Sequence, residues 1–147
     1  MGDFADLGQA VDRSHLALDA FFNGDPEPMK ATYSHKDDVS LANPFGPHAL
    51  GWREVAETMA RAASHYRDGR VTSFERVAEY TTPNVAYVVE IERYEARVGG
   101  RDEMSSVALR VTTVLRPEDG GWKIAHRHAD PITTTRPTES VIQRDTG

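Results

Sequence analysis

Cysteine is absent from the 147 residues, which removes disulfides, thiolate nucleophiles and sulfur-ligated metal sites together. Long apolar runs are absent too. Nothing approaches the ~18 residues of a membrane span, and no charged start with an apolar middle suggests a signal peptide, so a cytoplasmic location and no membrane partner are expected. Positive charge is in deficit: Lys+Arg 17 against Asp+Glu 23 gives a formal net charge of −6. Phosphate binding needs a clustered positive surface, so this balance counts against a nucleic-acid partner. What is present, 39% hydrophobic and 27% charged residues, is the make-up of one ordinary globular domain, able to bury roughly 70% of its unfolded surface without a metal or disulfide staple.

Apolar periodicity predicts a first helix over Phe4–Phe22, ended by Asn23-Gly24, and a short second one capped by Asp25 with Pro26 at its first position. Asp37–Pro44 reads as a short strand with Val39 and Leu41 on one face, followed by a glycine- and proline-rich loop to Gly51. Trp52, Val55, Met59, Ala63 and Tyr66 mark a third helix from Trp52 to about Tyr66, closed by Asp68-Gly69. The rest is strand-like: 70–81, 85–98, 103–115 and a last strand after the turn at 117–121, with Gly99-Gly100 as a hairpin. Three helices before an antiparallel meander predict an α+β fold, with one domain over 1–132 and a flexible polar tail over 133–147.

The last strand, Gly121-Trp122-Lys123-Ile124-Ala125-His126-Arg127-His128-Ala129-Asp130, concentrates the chemistry. Strict alternation gives it two faces, one with Trp122, Ile124, His126, His128 and Asp130, the other with Lys123, Ala125, Arg127 and Ala129. Either face can be the inner one. His126 and His128 have a spacing compatible with a metal, but no second carboxylate pattern supports it, so neither metal nor cofactor is expected.

The order helix, helix, short strand, helix, sheet resembles the nuclear-transport-factor-2-like (NTF2-like) superfamily, and its SnoaL-like and ketosteroid-isomerase-like branches most. The residues that carry the resemblance are Gly24-Asp25, the segment Asp37-Asp38-Val39-Ser40-Leu41-Ala42-Asn43-Pro44-Phe45-Gly46, Gly51 with Arg53-Glu54, and Gly121-Trp122-Lys123-Ile124-Ala125-His126. The resemblance implies three helices packed on a curved antiparallel sheet as a cone around a small-molecule pocket. It does not carry over the steroid isomerases' catalytic groups: their base position holds Asn43, which cannot take a proton near neutrality, and their two oxyanion-donor positions align with Ala17 and Thr112. The acid of the SnoaL-type cyclases aligns with Arg127.

If the family's inward positions transfer, Arg127 lines the pocket between Ala125 and Ala129, joined by Arg110 and Thr112. A two-residue hairpin then brings Tyr87, Val89 and Ile91 onto the same face. Inward arginines make a site for a carboxylate or phosphate; outward ones stack along a solvated face and pair with Glu90, Glu92 or Asp130. Asn43 and Tyr33 stand near the mouth, and Trp52 serves as core or pocket wall. Two readings follow. One is an enzyme of isomerase, cyclase or dehydratase type on a hydrophobic carbonyl or anionic compound, with His128 or Asp130 as base and Arg127 or Arg110 holding the oxyanion. The other is a non-catalytic ligand-binding or oligomerising module. A homodimer is expected, because Val107, Leu109, Val111 and Leu115 alternate away from Arg110 and need cover.

Overall fold

The computed structural model describes residues 4–144, so residues 1–3 of the expected domain and 145–147 of the expected tail lie outside the described residues. Helix α1 (Phe4–Phe21) buries Leu7, Ala10, Val11, Ala17 and Leu18 at three- and four-residue spacing, and the chain leaves it through Gly24 at φ 91°. Helix α2 (Glu27–Thr32) buries Met29; Asp25 accepts the Glu27 N–H, and Pro26 stands just before the first helical residue. Helix α3 (Trp52–Ala63) buries Val55, Met59, Ala62 and Ala63. It ends before Tyr66, which instead opens a strand.

The strands are β1 (Ser40–Ala42), β2 (Ala49–Leu50), β3 (Tyr66–Thr81), β4 (Ala86–Val98), β5 (Ser105–Glu118) and β6 (Gly121–Asp130), in the order β2-β1-β6-β5-β4-β3. β2 falls in the stretch expected to be loop. The sheet is mixed, because β1 runs parallel to β6 with Leu41 opposite Arg127. Asp68-Gly69, expected to close α3, forms an irregularity inside β3, with Asp68 at φ 54°. A Cβ on Gly69 would stand 2.5 Å from Phe22, so glycine there lets the sheet edge meet the end of α1.

Burial fixes the faces. Along β4 the inward set is Ala86, Val88, Glu90, Glu92, Tyr94 and Ala96, and along β5 it includes Leu109, Val111 and Leu115. This corrects the apolar outer face expected on β5: those residues pack with the helices in the single core cluster. The β4–β5 connection runs over 99–104 rather than two residues, which sets Arg110 opposite Ile91 and Thr112 opposite Val89. Beyond Asp130 the described tail is exposed, with one 3-10 turn at Thr138–Val141.

Neither strict parity holds for β6. Leu115 pairs with Ile124 and Val114 with His126, leaving Ala125 as a bulge residue. Trp122 and Ile124 are buried on the inner side, and past the bulge Arg127 and Ala129 take it over. His126, His128 and Asp130 look out from the other face beside Arg110 and Thr112.

Candidate functional site

A cavity of about 40 Å³ lies between the helices and the inner face of the sheet, room for about three water molecules. Leu18, Phe22, Met29, Met59 and Leu109 are among its apolar walls, and Asn43, Tyr66 and Arg127 are its polar residues. Among the described residues, Arg127 is its one charged residue. It reaches across β5 to Glu92 in a two-pronged ion pair, Nη1 to Oε2 at 2.8 Å and Nη2 to Oε1 at 2.7 Å. Glu92 is 2% exposed. Burial alone would weaken the guanidinium's hold on its proton, but the Glu92 charge and hydrogen bonds outweigh that and keep it above its usual range.

Around this pair stand buried phenols. The Tyr66 and Tyr94 hydroxyls are 2.7 Å apart, and burial pushes both above the usual phenol range. Tyr94 stacks on Phe22 with ring centroids 3.7 Å apart. Tyr33, raised by burial as well, donates to the Ser40 carbonyl at 3.0 Å and lies behind the cavity wall rather than on it. Glu90, the second inward carboxylate of β4, accepts from Arg76 Nε at 3.0 Å and lies 2.8 Å from His15 Nε2, while the His15 ring stacks on Phe74.

Of the residues expected at a site, Arg127 and Asn43 meet at the cavity. Asn43 Oδ1 accepts the Phe45 N–H at 2.9 Å, so its side chain also shapes the loop over the cavity. Trp52 packs against the core, as one of its two expected roles, stacks on His35 at 3.9 Å and walls a surface groove rather than the cavity. Tyr87 is exposed and stacks with Tyr80. Arg110, expected inside, holds Asp130 with both prongs on the outer face at 3.1 and 2.9 Å, and Asp130 also meets His128 Nε2 at 2.9 Å. Thr112 pairs with His128 there; its neighbour Thr113 is the residue opposite Arg127. His126, whose charging burial and nearby His128 oppose, lies 2.8 Å from Ser40 Oγ. The sequence reading missed Tyr66, Tyr94 and the inward placement of Glu92. The signal for Glu92 was its even spacing from Val88 and Ala96.

Among the described residues no helix is long and apolar enough to cross a membrane, and no group of three or more His, Cys, Asp or Glu could hold a metal ion.

Three helices on a six-stranded mixed sheet, enclosing a small apolar cavity, define an α+β domain of the NTF2-like class. A sequence profile of the SnoaL-like domain matches residues 13–133, and the chain belongs to that family. Solved structures share the fold at low identity. A ketosteroid isomerase-like protein from Erwinia carotovora atroseptica superposes with TM-score 0.72 at 22% identity over 88% of this chain and 96% of that one. A provisionally named dehydratase of the NTF2-like family from Streptomyces avermitilis gives 0.72 at 20% over 90% and 98%. A provisionally named calcium/calmodulin-dependent protein kinase type II association domain from Thiobacillus denitrificans gives 0.69 at 23% over 83% and 91%. A search of curated proteins returned no match.

Proposed function

We propose that this SnoaL-like domain binds a small, mainly apolar molecule whose neutral hydrogen-bond acceptor, such as a carbonyl oxygen, meets Arg127 and Tyr66 at the polar end of the cavity. The observation that carries this reading is the cancelled charge: the only ionised side chain on an apolar wall already holds a carboxylate with two hydrogen bonds. A guanidinium has five N–H donors, and Glu92 engages two groups of that fork. A polar acceptor therefore finds a donor, while a second full negative charge would meet Glu92 as well.

The catalytic extension is proton transfer of isomerase, cyclase or dehydratase type on a hydrophobic carbonyl compound, with Arg127 and Tyr66 stabilising the oxyanion. Against it weigh the position of His128 and Asp130 across the sheet and the inability of Asn43 to accept a proton. Binding is the reading supported furthest. Self-association is part of the proposal, now through an outer face built from half-buried Val89, Ile91, Ala108 and Val114 with His126 and His128 beside them.

Calorimetric titration with 4-phenyl-2-butanone, a neutral aromatic ketone that fits only when the exposed Phe45 ring at the cavity wall turns aside, tests the binding reading. Ala129→Phe, which fills the cavity, is expected to abolish ketone binding. Unchanged binding by that variant, or no binding by the wild type, refutes it.

A further inference from the structure

We infer that the ligand site has a second half outside the cavity, a cationic mouth in which Arg61, with the His65 ring beside it, takes the anionic end of an amphipathic ligand. The inference rests on the cavity reading and adds the substrate class: an apolar body ending in a carboxylate or another oxyanion.

Three observations converge on it. First, a surface groove of about 220 Å³ lies against the cavity, and the two share Asn43, Phe45 and Ala62 as walls. Phe45 is the partition. Its ring stands 4.9 Å from that of His65, on the groove side, and 5.8 Å from that of Tyr66, on the cavity side. It is 47% exposed, so little packing opposes its rotation. Second, the cavity is too small for any ligand larger than a few atoms. A molecule that enters must displace Phe45, and displacing it joins cavity and groove into one elongated site.

Third, the charges of the two halves differ. Among the described residues the groove wall carries Arg61 and His65 and no carboxylate. Arg61 donates to Thr58 Oγ1 at 3.1 Å and makes no ion pair among the described residues. Inside, the charge of Arg127 is cancelled by Glu92. In a chain of net charge −6, an unpaired guanidinium beside an apolar opening is where a negative group is attracted, and the guanidinium fork suits an oxyanion. Arg61 stands in the last turn of α3 and His65 in the turn that follows it, and both line the groove.

The probes are N-phenyl-1-naphthylamine, which is neutral, and 8-anilinonaphthalene-1-sulfonate, the same skeleton with one sulfonate added, each titrated by fluorescence at neutral pH. The wild type is expected to bind the sulfonate more tightly. Arg61→Gln should weaken the sulfonate about three- to fivefold, the upper part of the range for an exposed ion pair, and leave the neutral dye within about twofold. Added salt should erase the sulfonate's advantage in the wild type. Phe45→Ala should tighten both dyes, and Ala129→Phe should weaken both. If Ala129→Phe leaves the neutral dye unaffected, or that dye never binds, the cavity reading fails and the mouth with it. If the neutral dye occupies the cavity but Arg61→Gln changes neither dye, or both equally, the cavity reading stands and the cationic mouth is refuted.

Discussion

Replacing Glu92 by glutamine removes one charge from the Arg127–Glu92 pair and almost no volume. The side chains are 12% and 2% exposed, so neither charge is well hydrated once its partner is neutral. Removing one partner of such a pair costs about 3–5 kcal/mol, most of it the uncompensated charge left behind. A domain of this size holds about 5–15 kcal/mol in total, so the loss is a large share of its stability. At roughly 2–4 °C per kcal/mol, Tm should fall by about 6–20 °C. The double variant Glu92→Leu with Arg127→Met replaces both ends by apolar groups and is expected to lie within about 2 kcal/mol of the wild type or above it. Urea unfolding followed by tryptophan fluorescence of the wild type, Glu92→Leu, Arg127→Met and the double variant gives all four corners of the cycle, with Glu92→Gln measured beside them. Glu92→Gln should also free the guanidinium for a ligand, so the cavity should gain affinity for 4-phenylbutyrate, by tenfold or more if about 1.4 kcal/mol is recovered. A single variant within about 1 kcal/mol of the wild type, or a double variant no more stable than the worse single one, would refute a buried, energetically coupled pair.

Two further outcomes follow from other contacts. Gly69→Ala should cost about 2–3 kcal/mol in urea unfolding, because the new methyl meets Phe22 backbone and Cβ at 2.5 Å, whereas Gly46→Ala, with open space around it, should be close to neutral; equal effects would contradict the tight approach of β3 to α1. Burial pushes the Glu90 carboxyl up, but the hydrogen bonds and charges of His15 and Arg76 outweigh it and hold it below its ordinary value of 4.5. Its folded pKa is thus below its unfolded one, so the stabilisation is present above about pH 4.5 and is lost as pH falls through the folded value. Glu90→Gln should flatten this acid limb of a stability-versus-pH curve, and an unchanged slope would refute the assignment.

Helices and strands were legible where one residue's neighbours in sequence decide its state. The stripe of α3 and the run of strands after Gly69 both follow from local period. The inner chemistry was not legible, and Glu90 and Glu92 show why. Reading β4 by polarity puts Tyr87, Val89 and Ile91 inside and the two acids outside; the structure reverses both sets. Inward carboxylates are stable here only because their partners arrive from distant parts of the chain, His15 from α1 and Arg127 from β6. A window a dozen residues wide contains neither. The pairing of Arg127 with Glu92 and of Arg110 with Asp130 was available as one alternative for strand arginines. What the sequence concealed is that one pair is sealed inside and the other stands in water.

The bulge at Ala125 has a consequence for how chains of this shape can vary in length. In a plain strand, losing one residue turns everything beyond it to the opposite face. In β6, deletion of Ala125 would only restore regular pairing: Trp122, Ile124, Arg127 and Ala129 would keep facing the helices, and His126 and His128 would keep facing out. Ironing out the bulge without a deletion would do the reverse, trading guanidinium for imidazole at the cavity end with no substitution at all. The parallel ladder to β1, which fixes Ser40, Leu41 and Ala42 against His126, Arg127 and His128, selects between these two settings, so a shift of register that flattens the bulge at unchanged length exchanges the cavity's acid–base character in one step, whereas loss of residue 125 does not.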